Sequence, residues 1–225
     1  MEFGQAFSFA FQDQDWMKKL GLAGVILLIP IVGWLAVSGW MIEITRRVIR
    51  REGELLPDWS NFGKYIVDGL LLMIIGFIYT LPSNIINGVI QGANVLLQTT
   101  LQNGDSSDAM LPIMTGVLIC GGCVTFILAI LAAFILPAAY ANFAVKGSFG
   151  AAFSFGEIFG LVKAAPGAYV LVLLGSILAG IIAMLGVIAC VIGIIFTIAY
   201  ASAIMGHLYG QAYNAGTGTS YQAVQ

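Results

Sequence analysis

Long stretches without charge constrain this chain more than any other feature of its sequence. Asp, Glu, Lys and Arg are all missing from residues 20–42, 69–104, 109–145 and 164–225. A helix needs about 20 apolar residues to cross a hydrocarbon core about 30 Å thick, and each of these stretches is long enough. Charged residues make up only 9% of the 225 residues, against roughly a quarter in soluble domains. The sequence therefore predicts an all-α, polytopic helical membrane bundle and excludes a soluble globular fold.

The charge balance narrows the partners of this chain. Its formal net charge is −2, and its bases do not form a long basic block. Nucleic-acid binding depends on many Lys and Arg side chains that neutralise phosphates, so we expect no nucleic-acid partner. The partners that this composition indicates are membrane lipids, a second copy of the chain in a homo-oligomer, or another membrane protein.

The first charge-free stretch is compatible with two arrangements. A single long helix would carry Pro30 and Gly33 near its middle, where proline removes a backbone donor and glycine loosens the chain. Two shorter helices, over residues 20–31 and 33–49, would form a hairpin instead. The hairpin places all nine Lys and Arg residues on one side of the membrane, and basic residues concentrate in cytoplasmic loops. This pattern favours the hairpin, although its first helix is short for a bilayer.

The other stretches complete a count of about six hydrophobic helices in three hairpins. Residues 69–104 and 109–145 each hold one helix that is longer than a bilayer requires. The last stretch holds two helices, with a break expected near residues 185–193. We expect one transmembrane domain over residues 1–213 and a polar C-terminal tail over residues 214–225.

An internal repeat supports the division into three hairpins. Residues 3–9 (FGQAFSF) recur as residues 149–155 (FGAAFSF), with six matches in seven positions, and residues 61–65 are a weaker echo. Each copy precedes a hydrophobic hairpin. The predicted repeat units are residues 1–53, 54–147 and 148–213.

The aromatic residues of these segments have helical spacing. We therefore expect short amphipathic helices before at least the first and third hairpins, because a helix with one aromatic face can lie in the headgroup layer. Packing of the same rings on the helical bundle is the alternative, and both interpretations remain open. The candidate interfacial anchors are Phe3, Phe7, Phe11, Trp16, Phe149, Phe153 and Phe159.

Several motifs of the chain occur together in a known family. They are the Phe-rich opening, Asp15-Trp16-x-Lys18-Lys19, Ile29-Pro30-Ile31-Val32-Gly33, Arg46-Arg47-Val48-Ile49-Arg50, Leu56-Pro57-x-Trp59 and Gly206-His207-Leu208-Tyr209-Gly210-Gln211. On these motifs the sequence resembles domain-of-unknown-function family 4013, a family of prokaryotic multi-pass membrane proteins. The resemblance covers nearly the whole chain. It implies a bacterial or archaeal cell membrane and no particular activity, substrate or catalytic residue.

Amide side chains form a stripe on the helix predicted over residues 64–101. Their spacing of three or four residues places them on one helical face. Three arrangements fit this face: an amphipathic outer segment that rests on lipid or protein, the lining of a water-filled cavity, and a subunit contact held by interhelical hydrogen bonds. The residues of this stripe are Thr80, Asn84, Asn87, Gln91, Asn94 and Gln98.

Four arginines after the first hairpin are the candidate contacts for anionic lipid headgroups. They are Arg46, Arg47, Arg50 and Arg51. Glu43 precedes Arg46 by three residues and Arg47 by four, which is the spacing of ion pairs along a helix. Asp68 lies in the first turns of its helix, where the helix dipole stabilises a negative charge.

No group of residues indicates catalysis. Cys120 and Cys123 have the spacing of redox and metal sites, but they lie in an apolar helix without a thioredoxin-type context, so helix packing is the better interpretation. His207 is the only histidine and lies far from both in sequence, which argues against a zinc site. We expect no enzyme, no catalytic residue, no metal and no cofactor.

Two functions from different classes remain. The first is a non-catalytic membrane-organising subunit that binds lipid or a partner protein, and the Phe-rich segments and the arginines favour it. The second is a channel or small-molecule transporter with a polar amide-lined path, which the repeat and the amide stripe indicate. In either case we expect a multi-pass protein of the cytoplasmic membrane with both termini in the cytoplasm.

Overall fold

The structure, a computed structural model, describes residues 1–103 and 110–218 of the chain. Within these two ranges every regular element is a helix, so the predicted all-α class is confirmed. The α-helices are α1 (Gln5–Ser8), α2 (Trp16–Leu27), α3 (Val32–Arg50), α4 (Phe62–Asn103), α5 (Met110–Lys146), α6 (Phe155–Ala164), α7 (Pro166–Leu185) and α8 (Cys190–Gly216). Short 3-10 turns cover Phe9–Gln12, Phe149–Phe153 and Gly186–Ala189.

Four helices in the described part of the chain are long and apolar enough to cross a membrane. They cover Phe62–Gln102, Pro112–Lys146, Pro166–Ile188 and Gly193–Gly216. α2 is hydrophobic as well, but its 12 residues extend only about 18 Å at about 1.5 Å per residue. A helical membrane protein is therefore confirmed, whereas six membrane-crossing helices are not confirmed.

The first hydrophobic segment folds as two helices, which is the hairpin alternative. Pro30 lies between α2 and α3 and cannot continue the backbone hydrogen bonds of a helix. Ile31 takes a positive φ of 65°, which is rare for a β-branched residue, and the chain turns sharply there. At the start of α3, Gly33 packs so closely that a Cβ there would lie 2.1 Å from the carbonyl oxygen of Ile26. Only glycine fits this approach.

The chain forms two compact units. The first consists of Met1–Ile75 and Phe134–Gln225, and the second of Gly76–Ala133. In the first unit, α8 packs against α2, α3, α6 and α7. The hydroxyl of Thr45 in α3 donates a hydrogen bond to the carbonyl oxygen of Gly206 in α8 at 3.0 Å. This contact buries a polar side chain with its hydrogen bond satisfied.

Glycines bring α3 and the first turns of α4 into backbone contact. A Cβ at Gly39 would lie 1.8 Å from the carbonyl oxygen of Tyr65, and a Cβ at Gly69 would lie 1.8 Å from that of Leu35. No larger residue fits at either position without moving the helices apart. Small residues at helix crossings are typical of membrane bundles, where close backbone packing replaces the hydrophobic effect.

The second unit contains parts of α4 and α5 that contact each other. A Cβ at Gly121 of α5 would lie 2.8 Å from the side chain of Ile90 in α4. Several large apolar side chains of this unit are exposed, namely Ile85, Val89, Val95, Leu96, Ile113, Val117, Ile119, Val124, Phe126 and Ile127. Such a surface requires contact with lipid or protein.

Short helical segments precede two of the hairpins, as predicted. α1 and the turn Phe9–Gln12 precede α2, and the turn Phe149–Phe153 and α6 precede α7. The break predicted near residues 185–193 is also present, because α7 ends at Leu185 and α8 begins at Cys190. The local pattern of apolar runs and breaks therefore sets these boundaries.

The C-terminal helix continues into the segment predicted as a tail. α8 ends at Gly216. Asn214 is only 2% exposed, and its Nδ2 donates to the carbonyl oxygen of Val48 at 3.2 Å. This contact with α3 extends the helix beyond the apolar residues. The remainder of the predicted tail, residues 219–225, lies outside the described residues.

Candidate functional site

A charged network connects three helices of the first unit. Arg46 of α3 is 6% exposed. Its Nε donates to the carbonyl oxygen of Ala144 in α5 at 2.9 Å, and its two terminal nitrogens each lie 3.4 Å from Oδ2 of Asp68 in α4. The guanidinium also pairs with Glu43, whose carboxylate accepts a hydrogen bond from Lys64 at 2.8 Å. Two bases thus face two acids, which lowers the cost of removing these charges from water.

The network changes the interpretation of Arg46. The sequence predicts this residue as a contact for anionic lipid, but the structure directs its donors to protein acceptors. The pair of Arg46 with Glu43, predicted from their spacing of three residues, is confirmed. Arg47 instead pairs with Glu52 at 3.6 Å. Asp68 is 22 residues from Arg46, so no local spacing could indicate their contact.

Lys19, at the start of α2, is a second buried charge. Its ammonium group donates to Asp13 at 2.7 Å and to the carbonyl oxygen of Leu56 at 2.9 Å, and it pairs with Glu54. Burial by itself lowers the pKa of Lys19, but the hydrogen bonds and charges of Asp13 and Glu54 together raise it above its ordinary value of 10.5. The charged ammonium group therefore ties residues 51–61, the 51–61 loop, to α2.

Aromatic side chains hold the same loop. The indole nitrogen of Trp40 donates to the carbonyl oxygen of Pro57 at 2.9 Å, and that of Trp59 donates to a backbone carbonyl of α2 at 3.0 Å. Their rings stack with centroids 5.6 Å apart. The hydroxyl of Tyr65 donates to a further loop carbonyl at 2.8 Å. Buried indole and phenol groups need such acceptors, so the Leu-Pro-x-Trp motif has a structural role.

The remaining arginines differ in exposure. The Arg47 side chain is 18% exposed and donates to the backbone carbonyl of Glu54 at 3.0 Å. The Arg50 side chain is 59% exposed, with a nitrogen 3.9 Å from Glu52, and Arg51 is exposed as well. Of the four predicted lipid contacts, Arg50 and Arg51 are therefore the two that reach the surface.

One exposed face of α6 combines two aromatic rings with a base. Phe155, Phe159 and Lys163 follow each other at four-residue spacing, so they lie on one side of the helix. Phe155 is 52% exposed, Phe159 is 45% exposed, and Lys163 is exposed. Ile158 and Leu161 are buried on the opposite side. α6 is therefore an amphipathic helix whose exposed side is aromatic and basic.

This geometry corrects the predicted stripe of Phe149, Phe153 and Phe159. The three rings do not share one helix, because α6 begins only at Phe155, after the 3-10 turn. Phe149 and Phe153 contact each other, with ring centroids 5.1 Å apart. The sequence interpretation missed Phe155. Its four-residue spacing to Phe159 and Lys163 is the signal that could have revealed it.

Hydrogen bonds fix α6 on the first unit. Asn142 of α5 is buried, and its Nδ2 donates to the carbonyl oxygen of Ala151 at 2.8 Å and to Glu157 at 3.0 Å. Lys146 pairs with the same carboxylate. The hydrogen bonds from Lys146 and Asn142 hold the pKa of Glu157 below its ordinary value of 4.5. The exposed face of α6 is thus held in a defined orientation.

Some of the N-terminal aromatic residues pack on the helical bundle, and others are exposed as expected of interfacial anchors. Phe3 and Phe7 are half-buried and contact each other, with ring centroids 5.3 Å apart. Phe11 is 51% exposed and meets the Trp16 ring edge-on at 5.0 Å. Trp16 packs on the buried core of the first unit. Phe11 is therefore the ring of this group with the largest outward surface.

His207 has a structural environment. Its ring is fully buried and stacks on Phe9 with centroids 4.3 Å apart. Nδ1 lies 3.1 Å from the amide nitrogen of Gln211. Phe9 did not belong to the predicted aromatic stripe, and its partner is almost 200 residues away, so only the fold brings the two rings together.

The amide stripe lies on an exposed surface of α4 in the second unit. Four of its five amides are exposed, and the fifth, Asn94, is half-buried. Nδ2 of Asn84 donates to the hydroxyl of Thr80 at 3.3 Å, and this hydroxyl donates to the carbonyl oxygen of Gly76 at 2.9 Å. The helical spacing places the stripe along one face of α4. In a single chain, most of the amide side chains of this stripe are covered by no other part of the protein that the structure describes.

A cleft of about 330 Å³ lies beside the 51–61 loop. Asp13, Asp15 and Glu54 are among its lining residues, and their charges disfavour an anionic ligand there. Among the residues that the structure describes, no group of three or more His, Cys, Asp or Glu side chains could hold a metal ion. Cys120 and Cys123 are exposed in the second unit.

Comparison with protein families gives a match over most of the chain. A family model described as "Protein of unknown function (DUF4013)" matches residues 22–192, which is more than half of the chain. No curated protein and no solved structure matches. The match extends from the second turn of α2 to the start of α8 and therefore includes the charged network, the 51–61 loop, α6 and the amide stripe.

Proposed function

The chain belongs to the DUF4013 family of proteins of unknown function, and from this premise we propose that it is a non-catalytic membrane subunit that binds anionic lipid headgroups. The observation that carries the proposal is the exposed face of α6, where Phe155, Phe159 and Lys163 stand about one helical turn apart. Lipid binding at this face organises the membrane around the subunit.

This face has the chemistry of a helix that lies in the headgroup layer. Aromatic rings enter the boundary with the acyl chains, while a lysine extends its stem to bring the ammonium group to a phosphate. Each base close to an anionic surface contributes about 1 kcal/mol. Because Lys146 and Asn142 hold Glu157 and thereby fix α6, little further conformational freedom is lost when a headgroup binds.

Outward bases elsewhere in the first unit support the proposal. Arg50 is exposed at the end of α3. Lys18 is exposed in the first turn of α2, next to Met17, which is 65% exposed. The combination of a base with an exposed apolar side chain thus occurs on α2 as well as on α6. These bases provide additional contacts for anionic headgroups.

The buried charges support a non-catalytic role. Buried Arg46 is paired with Glu43, and buried Lys19 is paired with Asp13. These side chains use their hydrogen bonds to hold helices and the 51–61 loop in place. Their role is therefore structural.

The test compares two lipids on the purified full chain in detergent. We expect phosphatidylglycerol to raise the thermal midpoint more than phosphatidylcholine does, and this difference to shrink in high salt and in Lys163→Gln. Lys64→Gln is the matched control, because it removes the same charge from a lysine that pairs with Glu43 and lies outside α6. We expect the control variant to shift the thermal midpoint by the same amount in phosphatidylglycerol and in phosphatidylcholine.

Equal midpoints in the two lipids would contradict lipid binding. If the unmodified chain instead copurified with a defined membrane protein and showed no lipid preference, the subunit would bind a partner rather than lipid.

A channel or small-molecule transporter is the second candidate. The shared exposed face of the amides on α4 favours it, because several copies of such a face can line a polar path. Ion or solute flux through proteoliposomes, abolished by Asn87→Leu and Gln91→Leu, would support transport. The absence of flux together with a preference for anionic lipid would support the lipid-binding subunit.

A further inference from the structure

α4 has three distinct faces within the second unit. Ile86 and Ile90 are half-buried on the face that contacts Gly121 of α5. A second face carries the amides. A third face carries Val89, which is 61% exposed, and Leu96, which is 46% exposed. At about 100° per residue, the amide face and the Val89 face lie on opposite sides of α4.

No single medium suits both exposed faces. Hydrocarbon solvates the Val89 face but leaves the amides without hydrogen-bond partners. Water forms hydrogen bonds with the amides but leaves the apolar side chains of the Val89 face exposed to water. The most apolar 18-residue stretches of α4 and α5 have mean hydropathies of 1.9 and 2.7, which favour hydrocarbon around these helices. The amide face then needs a protein partner that supplies both donors and acceptors.

We propose that this partner is a second copy of the chain, whose amide face pairs with the same face around a two-fold axis. A carboxamide both donates and accepts hydrogen bonds, so a stripe of carboxamides is complementary to itself. Copies inserted in the same orientation run parallel, and each residue then meets its own counterpart near the axis. Asn87 and Gln91 lie in the middle of the stripe.

This pairing stands apart from the lipid-binding function. It rests on the second unit, whereas the lipid-binding face lies on α6 in the first unit. It supplies an interaction surface of roughly four helical turns, from Asn84 to Gln98, that lipid acyl chains cannot satisfy. A monomeric chain that still prefers anionic lipid would overturn the pairing and leave the proposed function intact.

The first experiment is disulfide crosslinking in membranes. Cys120, Cys123 and Cys190 are replaced by Ala, and Asn87→Cys or Val89→Cys is added to this background. Asn87→Cys should form a crosslinked dimer of the chain under mild oxidation, because equivalent positions meet at the axis. Val89→Cys is the matched control on the opposite face and should crosslink weakly. Equal crosslinking at both positions, or a crosslink from Asn87→Cys to a different protein, would overturn the proposal.

The second experiment counts subunits in proteoliposomes by photobleaching of labelled chains. The double variant Asn87→Leu and Gln91→Leu should weaken dimerisation at least about tenfold, because each pair of copies loses several interhelical hydrogen bonds. The control Val89→Leu and Leu96→Val keeps the amides and should dimerise normally. An unchanged dimer fraction in a double variant that keeps its thermal midpoint would overturn the proposal. If that midpoint falls, the crosslinking result decides.

Discussion

Lys19 shows how one side chain joins parts of the chain that are distant in sequence. Its ammonium group connects Asp13 before α2 with Glu54 in the 51–61 loop. We predict that Lys19→Met lowers the stability of the purified chain in detergent by about 3 kcal/mol, because removal of one partner leaves buried acid without a cation. The thermal midpoint followed by tryptophan fluorescence measures this loss. Lys18→Met, at the exposed neighbouring position, is the control and should change the midpoint little.

The same lysine gives a pH dependence with a defined sign. Its pKa in the folded chain is raised above its ordinary value of 10.5. The stabilisation is therefore fully present below that value and is lost as the pH rises through the raised pKa. We predict that the difference in midpoint between the wild-type chain and Lys19→Met stays constant from neutral pH to pH 10 and narrows above it. A difference that stays constant as the pH rises through the alkaline range above pH 10 would contradict this assignment.

At the scale of residues, the sequence could identify the candidates but not their partners. It placed Arg46, Arg47, Arg50 and Arg51 in one cluster. Which of them turn inward depends on acceptors from other elements, such as the carbonyl oxygen of Ala144, which lies 98 residues from Arg46. Local spacing carries no information about contacts of this length. The pair of Glu43 with Arg46 was predictable because it lies within one turn of α3.

At the scale of elements, the contact between α3 and α4 depends on glycine. We predict that Gly39→Ala destabilises the chain by about 1–3 kcal/mol, because the added Cβ would lie 1.8 Å from a carbonyl oxygen of α4. Gly63→Ala is the matched control, since no atom lies within 4 Å of its Cβ position. The control gains helix propensity and should keep or raise the thermal midpoint. A midpoint that falls equally in both variants would show that the close approach is not what matters.

Helix boundaries were predictable where a local signal marks them. Pro30 ends the first helical segment, and the glycine-containing segment after Leu185 separates α7 from α8. The prediction that Phe149, Phe153 and Phe159 share one helical face was wrong. A helical period in the sequence does not show where a 3-10 turn ends and α6 begins. The boundary at Ser154 depends on the hydrogen bonds that Asn142 makes with the adjoining segments. Contacts with α5 therefore determine where α6 begins, and the local spacing of aromatic residues does not.

At the scale of the whole molecule, the four long apolar helices form two pairs in chain order. α4 and α5 form one pair, and α7 and α8 form the other. The short helix α2 makes a hairpin with α3, and a hairpin returns the chain to the side from which it entered. We expect an even number of crossings, which would place all nine Lys and Arg residues on one side of the membrane, the distribution that membrane insertion favours.

Cysteine labelling across the membrane tests this arrangement most directly. In a chain whose own cysteines are replaced by Ala, Ser107→Cys follows α4 and Ser148→Cys follows α5. A maleimide reagent that cannot cross the membrane should label Ser107→Cys in vesicles of one orientation and Ser148→Cys in vesicles of the opposite orientation. Labelling of both positions from the same side would show that α5 does not cross the membrane and would contradict the account.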